Sequence, residues 1–257
     1  MSELDKRCVS RSFAKAAKEY DQYAELQRQV GLQLIERFPP SAVEGLDIGA
    51  GTGFLTKKLA LSQPDAEWIV LDLALPMLQV ARENLKAFHH MHYLCADAEA
   101  LPLRDDSVGQ IYSNLALQWC ENLSVLFADC RRVLKPEGQL VFSSFGPHTL
   151  KELKSAWSQV DDYAHVNDFK SADVLVAALS EAGFKEIQLE KTVFETTYPT
   201  VMHLLRELKG LGAHHVNGGR KRVPTTPQQL QAMVSAYQAM MSDKVLATYE
   251  VFRVGAR

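Results

Sequence analysis

Through the middle of the chain, short apolar runs alternate with longer segments whose apolar residues recur three and four positions apart. Strand-type runs fall at 44–48, 68–72, 92–95, 109–114 and 138–145, and helical periodicity at 53–62, 75–87 and 122–134. Such alternation builds βαβ units and a parallel sheet, which takes its ligands beyond the carboxyl ends of the strands. Upstream, residues 10–38 read as one helical region. Phe13, Ala16, Ala17 and Tyr20, then Leu26, Val30, Leu34 and Ile35, keep helical spacing until Pro39 and Pro40 end it. Lys135-Pro-Glu-Gly138 reads as a turn into the fifth strand. After Phe145 the alternation is interrupted. Residues 146–170 are polar and partly helical, 171–182 form a helix closed by Gly183, and 184–194 a strand. Residues 198–243 hold two helices around a glycine- and cation-rich loop, and 244–254 alternates as a last strand, expected to pair antiparallel within the sheet.

Chemistry concentrates at the strand ends. Gly45-Leu-Asp-Ile-Gly-Ala-Gly-Thr-Gly53 is a short buried strand running into a glycine loop, and Asp72 and Asp97 stand at the tips of the next two strands. Glycines at 49, 51 and 53 permit a sharp turn and close approach to a ligand. The helix that follows offers free amides to a negative group. Asp72 can take both hydroxyls of a ribose, and Asp97 is within reach of an adenine amino group. A nucleoside with a small anionic tail fits this set. The spacing G-x-G-x-G, rather than the G-x-G-x-x-G of pyrophosphate loops, favours S-adenosylmethionine and resembles motif I of the class I methyltransferases. The expected fold is therefore α/β and Rossmann-like. It has a seven-stranded, mostly parallel sheet with one antiparallel strand, helices on both faces and helical lid insertions. The expected division is a single domain: 1–43 a helical lid, 44–145 the cofactor core, 146–170 and 198–243 substrate insertions, 244–257 the final strand. The candidate cofactor residues are Tyr20, Asp47, Gly49, Ala50, Gly51, Gly53, Asp72, Leu73, Met77, Asp97, Ala98 and Asn114.

Composition narrows the partners. A formal charge of −3 disfavours global attraction to nucleic acid or an anionic membrane. The first residues have no signal-type apolar core, and no run reaches membrane-spanning length. Cys8, Cys95, Cys120 and Cys130 make no C-x-x-C pair, which points to reduced thiols and a cytoplasmic protein. His89-His-Met-His92 reads as a solvated turn, and no metal is expected.

Three further segments carry candidates. Ser113-Asn-Leu-Ala-Leu-Gln-Trp-Cys120 follows the fourth strand, so Asn114 can meet the cofactor while Gln118 and Trp119 can position substrate. Aromatic rings there would also favour a sulfonium. Tyr20 lies in a segment able to fold over the nucleoside. Arg206 and Lys209 lie on a predicted helix, and Arg220, Lys221 and Arg222 form a compact positive patch suited to an acidic partner or a carboxylate. No acid–base dyad or nucleophile is evident.

Tyr20-Asp-Gln-Tyr-Ala-Glu-Leu-Gln-Arg-Gln29, Ser113–Cys120, Ala156-Trp-Ser-Gln-Val-Asp161, His165-Val-Asn-Asp-Phe169 and Leu208-Lys-Gly-Leu-Gly-Ala-His214 together resemble the malonyl-acyl carrier protein O-methyltransferases of biotin synthesis, over nearly the whole chain. Ala50 and Thr52 stand where that family often has Cys and Pro. The resemblance implies methyl transfer from S-adenosylmethionine to the free carboxylate of a malonyl thioester on acyl carrier protein. On that reading Arg206, Lys209, Arg11 and His214 are substrate candidates, Arg206 first, and Arg220, Lys221 and Arg222 dock the carrier. Methylation of a small carboxylic acid or quinone-type ring, or a non-catalytic cofactor-binding protein, are the alternatives.

Overall fold

The central apolar runs become strands largely buried on both faces, as a parallel sheet between two helical layers requires. The computed structural model describes residues 6–213, 225–241 and 244–257. In chain order the elements are α1 (Lys6–Ala16), α2 (Tyr20–Tyr23), α3 (Glu25–Arg37), β1 (Glu44–Ile48), α4 (Phe54–Ser62), β2 (Glu67–Asp72), α5 (Leu75–Asn84), β3 (Met91–Cys95) and β4 (Val108–Asn114). A single 3-10 turn, Leu117–Trp119, precedes α6 (Leu123–Val133) and β5 (Leu134–Phe145). Then follow α7 (Lys151–Ser158), α8 (Ala172–Glu181), β6 (Gln188–Tyr198), α9 (Val201–Gly210), α10 (Pro227–Ala239) and β7 (Val245–Ala256).

The sheet has seven strands in the order β3-β2-β1-β4-β5-β7-β6. Only β7 runs against its neighbours. Strand order reverses between β1 and β4, the topological switch point at which open α/β sheets bind ligands. Alternate residues of the strands serve opposite faces: Ile111, Leu140 and Phe142 pack with α6 and α8, while Tyr112 and Val141 pack with α3 and α4.

The helical region expected at 10–38 is divided into α1, α2 and α3, with breaks at 17–19 and at Ala24, and two other expectations needed correction. One straight helix would run about 43 Å; the breaks let α1 lie on α5 while α3 lies on α4 and the sheet. Lys135–Gly138 is not a turn, because α6 runs directly into β5 and the extra residues are absorbed as a bulge between the pairs Val108↔Leu134 and Gln110↔Gln139. The sixth strand begins at Gln188 rather than 184: Phe184 is core, but the amides of Lys185 and Glu186 turn to the Arg257 carbonyl instead of a ladder.

The β6–β7 ladder runs from Gln188↔Gly255 to Tyr198↔Val245, whereas β5 pairs with β7 only over 251–256. The ribbon therefore overhangs the carboxyl edge of the sheet. Against it α7, α9 and α10 bury Leu153, Trp157, Val201, Leu204, Met233 and Tyr237, a second core beside Phe145 and Tyr249. Trp157 stacks on His165 at 3.7 Å, and His165 Nε2 lies 2.8 Å from Asp161 Oδ1. The polar stretch 159–170 is thus fastened without regular structure.

Candidate active site

The glycine loop, the ends of β2 and β3, and the segment after β4 line a cavity. Gly49, Gly51, Asp72, Leu73, Met77, Asp97, Ala98 and Asn114 all lie on its walls, as does Tyr20. A second, smaller cavity continues past the loop, sharing Tyr20, Gly49, Gly51 and Asn114 and adding Asp47 and Ala50. Of the sequence-predicted cofactor set, Gly53 alone lines neither. Its φ of +85° starts α4, and a Cβ there would press on Leu85 and Ala81, so this glycine serves helix packing. Gly49, at φ +68°, would overlap Ala116 with any side chain, while Gly51, at φ +57°, faces open space.

Asp72 is held by two backbone amides. Its Oδ2 accepts from the Gly51 amide at 2.9 Å and its Oδ1 from Ala74 at 2.7 Å. Burial still pushes its carboxyl above the ordinary value, against those amides. Asp47, 1% exposed, accepts from Thr56 Oγ1 at 2.6 Å through Oδ2, and its Oδ1 has no partner. Burial pushes its carboxyl up to about 7. Asp97 accepts from the Glu99 amide at 3.0 Å and from Lys6 Nζ at 2.6 Å, and Lys6 also pairs with Glu99.

The positioning candidates divide. The Tyr20 phenol is held protonated by burial, with Asp72 and Asp21 adding to it. Trp119 faces the first cavity and meets Phe13 edge-on at 5.4 Å. Gln118 lines neither cavity; its Nε2 donates to the Leu115 carbonyl at 2.6 Å. Asn114 spends its carboxamide on structure, donating to Gln27 O at 2.8 Å and accepting from Ser143 Oγ at 2.8 Å.

The expected substrate cations are not brought to these walls. Val201, Leu204 and Leu208 turn one face of α9 to the core, which leaves Arg206 and Lys209 on the exposed face; Arg11 is exposed on α1. His214, Arg220, Lys221 and Arg222 lie outside the described residues. Among those described, Lys6 and Arg28 are the cations lining the two cavities. Neither was singled out from sequence, nor was the α1 wall of Val9, Ser10 and Phe13, since only the breaks around 17–24 turn α1 onto the cavity. Among the described residues no group of three or more His, Cys, Asp and Glu could hold a metal ion, and no helix is long and apolar enough to cross a membrane.

Residues 46–142 match the family described as methyltransferase domain. The malonyl-[acyl-carrier protein] O-methyltransferase of Halorhodospira halophila is 41% identical over 254 residues, covering 96% of this chain and 86% of that protein. The chain belongs to the malonyl-[acyl-carrier protein] O-methyltransferase family. The family likeness recurs within larger proteins: the biotin biosynthesis bifunctional protein BioHC of Cellvibrio japonicus is 42% identical, covering 97% of this chain and 49% of its own. For the fold, phosphoethanolamine N-methyltransferase 2 of Haemonchus contortus, solved with S-adenosyl-L-methionine, has a TM-score of 0.60 at 17% identity, covering 95% of this chain and 57% of that one. This is a class I methyltransferase fold, as the sequence led one to expect.

Proposed function

We propose that the protein transfers a methyl group from S-adenosylmethionine to the free carboxylate of malonyl-acyl carrier protein, in the biotin pathway and in the cytoplasm. The observation that carries this reading is the likeness to a relative of that activity over 96% of the chain, both insertions included. The cavity supports it. Asp72 is set for ribose hydroxyls, Asp97 for the adenine edge, and the unpartnered Oδ1 of Asp47 for the methionine ammonium. Bound there, the cofactor supplies an electrophilic methyl on sulfur. The protein's part is to hold one carboxylate oxygen in line with the carbon–sulfur bond, since an acceptor already ionised at neutral pH needs no general base. The C–O bond forms as the C–S bond breaks, and the sulfur keeps the electron pair.

A desolvated carboxylate requires a cation. With Arg206 exposed, Arg28 takes its place as first candidate. Arg28 is held by Asp21 O at 2.7 Å and Glu25 Oε2 at 2.8 Å, at the methionine end of the cavity. Arg28→Ala is expected to cost roughly tenfold, the lower end for hydrogen bonds to a charged group. A loss in cofactor affinity assigns it to the methionine carboxylate; a raised KM for malonyl-carrier alone assigns it to the acceptor. No change in either removes it from the site.

The raised Asp47 carboxyl gives a pH dependence. Because its folded value of about 7 lies above the ordinary 3.8, the folded protein holds a proton that the unfolded chain releases, and this group's contribution to stability falls as pH rises through that window. An ammonium facing Asp47 favours the ionised form. Affinity for S-adenosylhomocysteine should therefore rise between about pH 6 and about pH 8 in the wild type and stay flat in Asp47→Asn. Parallel calorimetric titrations at several pH values test it; parallel slopes in both proteins would disprove the pairing.

The direct test of function is labelled methyl transfer to malonyl-carrier beside malonyl-coenzyme A, a small soluble dicarboxylate and unloaded carrier. Preferred turnover of malonyl-carrier is expected. Equal turnover of the small acid would replace the carrier by a soluble substrate.

A further inference from the structure

We propose that Tyr23, seated on Gly210, is a positioning residue that couples the acceptor side of the protein to the cofactor cavity, so that each ligand binds more tightly when the other is present. The identity of the two ligands rests on the methyl-transfer reading; the contact itself does not.

Gly210 ends α9 directly beneath the Tyr23 ring. A Cβ there would overlap ring atoms Cδ2 and Cε2 and lie 2.9 Å from Cγ. Two residues on, Gly212 at φ +71° brings the chain against the α1 backbone, where a Cβ would stand 2.9 Å from Ser12 O and 3.2 Å from Phe13 N. The amides of Gly212 and Ala213 bond back to Lys209 O and Leu208 O, both at 3.1 Å, a glycine-closed helix end of the Schellman type. Two glycines thus let α9 touch α2 and α1 where any other residue would hold them apart.

Along its length α9 is also anchored in the overhanging ribbon. Val201 and Leu204 are wholly buried, Tyr198 Oη donates to Glu207 Oε1 at 2.6 Å, and Tyr198 and Tyr249 hydroxyls lie 3.2 Å apart. On the opposite side, the residues flanking the contact are cavity walls: Phe13 and Tyr20 line the nucleoside site, and Ser10 Oγ holds Leu73 O at 3.2 Å. Tyr23 and Gly210 line neither cavity. Past Ala213 the sequence continues toward Arg220, Lys221 and Arg222. A displacement of α9 by an acceptor therefore reaches Phe13 and Tyr20 through Tyr23 and Ser12. Coupling of this kind is reciprocal by linkage.

The test uses the full chain and S-adenosylhomocysteine. In Gly210→Ala, cofactor affinity should fall about fivefold or more, the lower range of such couplings, although position 210 touches no ligand. In the Tyr23→Ala background the same glycine change should have no further effect, and Tyr23→Phe should behave as wild type. Hydrogen exchange gives a readout that a merely structural contact would not move. S-adenosylhomocysteine should raise protection at 6–23 and at 201–210 in the wild type, and at 6–23 alone in Tyr23→Ala. If Gly210→Ala does not fold, Tyr23→Ala, which only deletes a side chain, decides alone. Unchanged protection at 201–210 in the wild type, or additive effects of the two substitutions, would overturn the proposal. Failure of the wild type to bind malonyl-carrier would strike instead at the acceptor assignment, with the exchange result still deciding the contact.

Discussion

Asp72→Ala is expected to weaken binding of S-adenosylmethionine and its demethylated product by about 1.5–3 kcal/mol, or roughly ten- to 150-fold, the range for hydrogen bonds to a charged group. The size follows from preorganisation. The carboxylate is held by the amides of Gly51 and Ala74 while facing the cavity, so its orientation is not spent on binding. Calorimetry on the mutant, with a cooperative melting transition as the folding control, is the measurement. An affinity equal to wild type would take Asp72 out of the site and leave the glycine loop without its acidic partner.

Trp68→Ala is expected to lower stability by about 3–5 kcal/mol, the usual cost of truncating a fully buried aromatic side chain. That is a large part of the total for an ordinary domain. Trp68 is 0% exposed, its ring lies across Gly45 of the neighbouring strand, and Tyr112 meets it edge-on at 6.0 Å. Its Nε1 has no hydrogen-bond partner, so the loss is one of packing alone. The pairing also sets β1 beside β2 in the register that places Asp47 opposite Val70, two residues before Asp72. A denaturant midpoint lowered at unchanged slope would bear this out. A shift below about 1 kcal/mol would mean that the surroundings collapse into the space, contrary to the close packing seen.

The core of the site was legible because its signals are local. Gly49, Gly51, Asp72 and Asp97 sit at strand ends, and strands of a parallel sheet all deliver their carboxyl ends to one edge. Knowing the strands is then nearly enough to bring these residues together. Gly53 was read with its neighbours because spacing cannot tell a glycine facing a ligand from one facing Leu85. The N-terminal region was harder. Helical spacing is unbroken across 10–38, and the interruptions at 17–19 and Ala24 follow from what α1 and α3 must each cover, not from a proline or glycine. Lys6, Phe13 and Arg28 were missed for that reason.

By itself, then, the sequence determined the alternation of strands and helices, the antiparallel last strand, the sheet edge that carries the cavity and, through its likeness along both insertions, the family. Each of these depends on residues near one another in the chain or on the order of whole elements. Only the tertiary structure decided which side chains turn inward. Arg206 has a charge that suits a carboxylate, yet the burial of Val201, Leu204 and Leu208 rotates it to solvent. Arg28, on a helix more than 170 residues away in sequence, lines the cavity instead. The contact of Gly210 with Tyr23 belongs to the same class. A helix's rotation and the neighbour across from it are set by the sum of all its packing partners, and that sum exists only once the chain has folded.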